Sequence, residues 1–515
     1  MASLGRSIAT VGGNTFLSRI LGFIRDLVIG HAFGADAATD AFFVAFRIPN
    51  FMRRLFAEGA FSMAFVPVLS EYKEQRPQEV KRFIDDVAGT LGAVLALVTL
   101  VGILAAPWIV LLFAPGFAAK GGNQALAGDM LRITFPYLML ISLTAFAGGI
   151  LNTWQKFGVP AFTPVFLNLT MIAAALWLAP LMDPPIIALA WGVLVAGIIQ
   201  LAFQAPFLTR LGLLPRPRHA PQDPGVQRIL GLMVPALFGV SISQINSLVD
   251  TALASFLTPG SISWLYYSDR LMEFPVGVLG VALGTVILPN LSKRHAQADG
   301  AAFSQTLDWA LRWVLLFGLP AAVGLGLLAG PLLATTLYSK SFDAHDVTMA
   351  TQSLWAFSVG LMAFLAIKVL APGYFARQDT RTPVRIGVIA VVANILFAVT
   401  LVFPLAHAGL ALANSLSAAI NAGLLYQGLR KTGILTLGKD WPGLLARALF
   451  ANLVMGALLF QGTWGIEAWL QVGHWQRIGQ LSLWILAGIG VYFATLFITG
   501  IRPRHFLRAH VGSNP

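Results

Sequence analysis

The sequence predicts an all-α polytopic membrane protein with fourteen transmembrane helices, and three observations predict it. The 515 residues are 57% hydrophobic and only 11% charged, with a mean hydropathy of +0.76, whereas a soluble domain carries about 25% charged residues. Apolar runs of bilayer-spanning length, about 20 residues, succeed one another from end to end. Lys and Arg collect in alternate loops between those runs.

The first run, 6–31, is not a cleavable signal peptide: it is long, carries Arg19 and Arg25, and lacks a small-residue cleavage site. The second, 39–68, opens on TDAFF and holds Pro49 and Pro67. Runs at 84–113, 127–153, 160–181 and 186–209 complete a first group. Those at 228–256, 264–291, 306–331, 347–373, 384–403 and 407–429 form a second, and 443–463 and 479–500 close the series. Turn-like breaks fall at GADAA (34–38), PGFAAKGG (115–122), MDPP (182–185), TPGS (258–261) and PLAHAG (404–409). The loops are too short for an inserted soluble domain. Pro49, Pro67, Pro136, Pro235 and Pro275 lie within runs, which membrane helices tolerate where neighbours or cavity water satisfy the freed carbonyls.

The basic loops carry Lys73, Arg76, Lys81 and Arg82; Lys156; Arg210, Arg216, Arg218 and Arg228; Lys293 and Arg294; Arg377, Arg381 and Arg385; and Arg430, Lys431 and Lys439. The tail adds Arg502, Arg504 and Arg508, while the intervening loops hold little beyond Lys120, Lys340 and Arg477. Since Lys and Arg in short loops stay in the cytoplasm, both termini are expected there. This asymmetry explains most of the net charge of +12. No soluble segment carries a basic stripe with interleaved aromatics, so nucleic acid is excluded as a partner.

The chain also matches itself at an offset of about 220 residues, which points to an internal duplication. Pro67, Leu69 and Ser70 recur as Pro289, Leu291 and Ser292; Leu151, Thr163, Pro164 and Val165 as Leu370, Thr382, Pro383 and Val384. Leu189, Ala190, Ala196 and Gln204 recur as Leu412, Ala413, Ala419 and Gln427. An even number of spans per copy inserts both copies the same way, as parallel repeats. The expected organisation is an N-lobe at 1–213 and a C-lobe at 225–432 around a central cavity, an additional helix pair at 440–501, and a basic tail at 502–515.

Arg19, Arg25, Arg53 and Arg54 lie inside the first two runs. A charged side chain at bilayer depth costs from about 2.5 to well over 10 kcal/mol, so such residues face a wet cavity or a partner. Arg54 and Glu58 are four apart and neutralise each other in the simplest reading. Arg19 and Asp26 are two turns apart, too distant for a direct pair. For Arg19, Arg25 and Arg53 the reading is contact with an anion facing the cavity, against local ion pairs. In YYSDRLMEFPVG, Arg270 has Asp269 beside it and Glu273 three residues on, so a structural pair competes with anion contact. Asp40 is a helix N-cap or a functional carboxylate, and Lys368 snorkels. Asp250, Asn394 and Asn414 are coupling-ion candidates or ordinary interhelical hydrogen bonds.

Enzyme signatures are missing. No G-x-x-x-x-G-K-[ST] loop encodes ATP hydrolysis, the eight His lack metal spacing, and no Cys offers a thiolate. Asp85–Asp86 sits at a helix start, favoured by the dipole.

The stretches SRILGFIRD (18–26), TDAFFVAFRIPNFMRRLFAEGAFSMAFVPVLSEY (39–72) and SWLYYSDRLMEFPVGVLGVALGTVILPNLS (263–292) resemble the MurJ (MviN) lipid II flippases. So do ILNTWQKFGVPAFTP (150–164) and KVLAPGYFARQDTRTPV (368–384), and the similarity covers essentially the whole chain. That family belongs to the multidrug/oligosaccharidyl-lipid/polysaccharide exporter superfamily. The resemblance implies translocation of lipid II, the undecaprenyl-pyrophosphate-linked peptidoglycan precursor, to the outer leaflet of the bacterial cytoplasmic membrane. It places the family's cavity arginines on Arg19, Arg25, Arg53 and Arg270 and its important acidic residue on Asp40. Asp26, Glu58 and Glu273 are expected as supporting acids. It gives the 443–500 region a groove for the polyprenyl tail. Lipid II, membrane lipids and the cell-wall synthesis machinery are the implied partners, with no ATP, cofactor or metal. Coupling to membrane potential, a proton or a sodium ion is left open.

Two rivals stand beside this reading. A drug or polysaccharide exporter of the same superfamily shares the fold, although a cation exporter would line its cavity with carboxylates. A membrane-embedded transferase acting on polyprenyl pyrophosphate would need carboxylates placed for metal or general-base work. Adding lipid II to the purified protein in vesicles separates the three readings.

Overall fold

The computed structural model describes residues 2–54, 61–120, 123–463 and 465–501, so Glu58 and the basic tail lie outside the described residues. All regular structure among the described residues is helical. The helices are α1 (Ala2–Phe33), α2 (Ala37–Arg53), α3 (Ser62–Gln75), α4 (Val80–Leu104), α5 (Ala106–Phe113), α6 (Gly116–Lys120) and α7 (Asn123–Thr134). There follow α8 (Pro136–Thr153), α9 (Gly158–Phe162), α10 (Pro164–Ala173), α11 (Ile187–Arg210), α12 (Pro224–Ala254), α13 (Ser261–Ala296) and α14 (Gly300–Trp313). The chain ends with α15 (Leu319–Leu327), α16 (Ala329–Thr336), α17 (Ala344–Phe375), α18 (Arg381–Lys431), α19 (Trp441–Gly462), α20 (Ile466–Gln471) and α21 (His474–Ile498). By length and composition, nine helical stretches among the described residues suffice to cross a membrane.

Local chemistry sets the ends. Asp36 caps α2, its carboxylate accepting from Thr39 N at 2.8 Å. Asp223 caps α12 by accepting from the backbone N–H groups of Gly225 and Val226, with Pro224 at the first helical position, where its missing N–H costs nothing. At the start of α17, Asp343 and Asp346 form a reciprocal capping box. The expected PLAHAG break appears within α18, where Ala406 takes φ +48° just after Pro404 and divides it into two helical halves. PGFAAKGG differs from the expected turn by including the short helix α6.

The chain divides into two compact units, Met1–Ser263 and Trp264–Pro515. In the first, Phe61, Phe65, Phe83 and Phe146 form an aromatic core joining α3, α4 and α8, with Phe65 and Phe146 centroids 5.0 Å apart. Val226, Ile229 and Met233 of α12 pack on this core. The segment 211–223 lies along α4 as a strap. Arg216 N donates to the Asp85 carboxylate at 2.7 Å, Arg218 N to the Asp85 carbonyl at 3.0 Å, and Ala220 N to Thr90 Oγ1 at 3.3 Å. Gly89 is needed where the strap crosses: a Cβ there would lie 2.2 Å from the Arg218 carbonyl oxygen. The Asp85–Asp86 pair therefore anchors a distant segment, beyond any effect on its own helix dipole.

In the second unit, α17 packs along α18, closely enough at Gly360 that a Cβ would lie 2.7 Å from Ser415 Cα. Small residues let membrane helices approach in this way. A π-helical turn at Val314–Gly318 interrupts the 300–327 stretch, and the Leu316 carbonyl within it accepts from the buried Tyr492 hydroxyl of α21 at 2.8 Å. Arg477 corrects the loop assignment made from sequence. It lies in the first turn of α21, buried, donating to the Ala334 carbonyl near the end of α16 at 2.5 Å with its guanidinium 5.0 Å from the Tyr338 ring centroid. A cation there satisfies a helix C-terminal carbonyl.

Candidate functional site

The first arginine group is on α1. Arg25 is only 7% exposed. Its Nε and Nη2 donate to Asp26 Oδ1 at 3.0 and 2.7 Å, and Nη1 donates to Asn168 Oδ1 of α10 at 3.1 Å. Asn168 returns a bond to the Ser18 carbonyl at 3.0 Å, so this one asparagine latches α10 to α1 at two points, the Arg25 guanidinium and the backbone seven residues before it. The local ion pair that competed with anion contact is thus present at Arg25, through a neighbour sequence spacing disfavoured: adjacent helical residues do not face each other. The arginine side chain is long enough to fold back. Arg19 differs. It is exposed on the same helix and engages no carboxylate among the described residues.

On α2, Arg53 is half-buried and its Nε donates to Asn50 Oδ1 at 3.3 Å. Arg54 Nη1 donates to Gln244 Oε1 of α12 at 3.4 Å; its expected partner Glu58 is outside the described residues. Arg47, which sequence reasoning passed over, bonds the Thr251 hydroxyl and the Ser247 carbonyl of α12. The available signal was a further Arg in the same apolar run, FVAFRIP. The three α1–α2 candidates, Arg19, Arg25 and Arg53, thus go to different neighbours.

Asp40 is not the cap of its own helix. Its carboxylate is 3% exposed and accepts from Gly260 N and Ser263 N, each at 2.8 Å, and from Ser263 Oγ at 2.6 Å. It caps the start of α13 instead, satisfying N–H groups that a helix N-terminus leaves unpaired and placing a negative charge at the positive end of the dipole. Partners 220 residues away in sequence are invisible to local pattern.

Arg270 on α13 has a third environment. Its Nη1 donates to Glu273 Oε2 at 2.6 Å, one turn away, and its guanidinium lies 4.9 Å from the Tyr266 ring centroid. The two side chains are 34% and 51% exposed, so the pair is open to solvent. An arginine fork of this kind matches phosphate oxygens bidentately and never deprotonates. Of the remaining candidates, Asn394 is fully buried and donates to Asn414 Oδ1 at 2.9 Å and to Ser417 Oγ at 3.3 Å, an interhelical hydrogen-bond group. Among the described residues no cluster of three or more His, Asp or Glu is arranged to hold a metal.

The family model described as Lipid II flippase MurJ matches residues 29–475. A Haemophilus influenzae protein named probable lipid II flippase MurJ is 47% identical over 507 residues, covering 96% of this chain and 99% of its own length. The solved structure titled Lipid II flippase MurJ, inward closed conformation, superposes with a TM-score of 0.80 at 27% identity, covering 97% of this chain and 99% of that one. An inward-facing multidrug resistance MATE family transporter of the MOP superfamily superposes with a TM-score of 0.69 at 14% identity over 81% of this chain and 95% of its own, a likeness of fold alone.

Proposed function

Because the chain belongs to the lipid II flippase MurJ family, we propose that it carries lipid II from the inner to the outer leaflet of the bacterial cytoplasmic membrane by alternating access. It is a multi-pass membrane protein and a transporter, not an enzyme. The observation that carries the reading is the relationship to lipid II flippases over nearly the full length of both chains. The arginines supply the matching chemistry: a pyrophosphate is bound by guanidinium forks, with Arg270 and Arg19 the most open to it and Arg25 and Arg53 the more closely held.

The finer parts of the reading rest on sequence. Alternate basic loops support cytoplasmic termini, and reporter fusions test this: external after Asp343, internal after Arg218. The order of elements supports duplicated lobes at 1–213 and 225–432. The 32-residue α1 is matched by the 31-residue α12, the α7–α8 pair by α17, and α9 to α11 by the two halves of α18. The pair α19 and α21 follows the second copy and is the proposed seat of the polyprenyl tail. Membrane lipids and the cell-wall synthesis machinery are proposed partners, and membrane potential or an ion drives the reset.

The deciding experiment is a leaflet-resolved lipid II assay on the purified protein in vesicles, with and without a membrane potential. Translocation is expected, faster than in protein-free vesicles. No translocation under either condition overturns the reading.

A further inference from the structure

We propose that the first unit holds a membrane phospholipid with an anionic headgroup, its phosphate on Arg82 and Arg218 and one acyl chain in the apolar cavity between α4, α8 and α12. The cavity has a volume of about 230 Å³ and is walled by Phe61, Leu91, Leu95, Leu138, Ile229 and Met233, among others. An apolar void of about 150 Å³ already stays dry and takes up apolar molecules. In a bilayer the group on hand to fill it is a hydrocarbon chain. Val94 and Leu230 line the cavity and are 50% and 45% exposed, so it opens toward the surface that α4, an apolar spanning helix, turns to lipid. The Ser142 hydroxyl also lines it, buried and without a hydrogen-bond partner among the described residues, and is a donor for an ester carbonyl.

Charge stands at one end of this cavity. Val87 and Thr90 of α4 line it, Asp86 precedes Val87, and the strap reaches Thr90 through Ala220 N. The buried Asp86 carboxylate is approached by two arginines, each through Nε: Arg82 at 3.7 Å and Arg218 at 3.5 Å. One carboxylate faces two guanidinium groups whose side chains are 68% and 61% exposed. The Nη edges of both arginines make no hydrogen bond among the described residues. Asp86 thus positions two forks beside the cavity and neutralises one of the two charges. Arg216 of the strap adds a further exposed cation. A phosphate diester carrying a hydrocarbon chain matches both parts.

Native mass spectrometry of the delipidated full-length chain tests this by titration with dioleoylphosphatidylglycerol, dioleoylphosphatidylcholine and inorganic phosphate. Phosphatidylglycerol should be retained in preference to phosphatidylcholine, and Arg82→Gln should reduce that preference about fivefold, the effect of one basic residue near an anionic surface. Arg82→Gln leaves Asp86 paired with Arg218, so the fold survives. Arg82→Gln/Arg218→Gln should abolish the preference. Val94→Trp and Leu230→Trp, at exposed rim positions, should lower retention of both lipids about tenfold with an unchanged melting temperature. Equal retention of the two lipids, or unchanged retention in both tryptophan variants, overturns the proposal. So does displacement by inorganic phosphate alone, which would mark a simple anion site, or selective retention of a polyprenyl phosphate over phosphatidylglycerol, which would mark a substrate subsite. None of these readouts depends on lipid II translocation.

Discussion

Arg25 and Arg270 sit on helices of the same bilayer-spanning chain and are held in opposite ways. Arg25 is buried, with all three kinds of guanidinium nitrogen bonded, two to Asp26 and one to Asn168. Arg270 keeps a third of its side chain exposed and leans on a glutamate half open to solvent. The difference decides what an incoming anion must do. At Arg25 it must displace a carboxylate already desolvated with its partner, and breaking such a pair is expensive. At Arg270 it competes with an exposed pair of the kind worth about 0–1 kcal/mol. The two arginines are therefore suited to different work: Arg25 fixes α1 against α10, while Arg270 exchanges partners readily.

The largest expected effect breaks the first half of this contrast. Arg25→Ala leaves Asp26 buried without its cation and should cost about 3–5 kcal/mol of stability, read as a fall in melting temperature, together with loss of lipid II translocation. Arg25→Ala/Asp26→Ala removes both charges and should recover most of the melting temperature but none of the transport. If the double variant flips lipid II normally, Arg25 is structural and leaves the site.

Next in size is Asp40. Its burial matches that of Arg25, but it is satisfied by two backbone N–H groups and a hydroxyl rather than by a cation. Asp40→Ala should cost about 2–3 kcal/mol, because the donors at the start of α13 lose a charged acceptor. Hydrogen exchange should rise at Gly260 and Ser263. Unchanged exchange there would mean that the cap contributes nothing.

The sequence carried the fold through features of long range in composition and short range in pattern. Apolar runs of spanning length, Pro404 before the Ala406 break and Gly34 after α1 all act locally, so their positions could be read residue by residue. The site was legible only as a set of residue types. That Arg25, Asp26, Asp40 and Arg270 are costly at bilayer depth follows from charge alone. Some partners are local, Asp26 beside Arg25 and Glu273 one turn from Arg270, but the contacts to Asn168 and Ser263 depend on packing between segments more than a hundred residues apart. Arg47 was passed over, and Arg477 assigned to a loop, for the same reason: their partners are Thr251 and the Ala334 carbonyl, a hydroxyl and a backbone group that carry no charge pattern to read. Asp85 and Asp86 were visible as a pair, but their partners lie on the strap.

Arg→Lys substitutions sharpen the comparison at intermediate size. Lys at position 25 keeps the charge but cannot bridge Asp26 and Asn168 with a planar fork, so both stability and translocation should fall. At position 270 Lys should leave the melting temperature unchanged and impair translocation only. Equal stability losses at the two positions would erase the distinction drawn from burial.

The smallest effect concerns Glu273. If the Arg270–Glu273 pair were a structural clasp, Glu273→Gln would destabilise the chain and free the arginine to disturb α13. The geometry argues otherwise: the pair spans a single helical turn, both side chains are open, and the Tyr266 ring continues to support the guanidinium face. Glu273→Gln should therefore shift stability by no more than about 0.5 kcal/mol. Removing the competing carboxylate should also leave Arg270 more available to an anion, so lipid II should bind somewhat more tightly while translocation slows or stays level. Binding to the purified variant and a leaflet-resolved assay measure the two separately. A clear loss of binding would mean that the glutamate orients the fork rather than competing for it, and would place Glu273 beside Arg270 as a positioning residue.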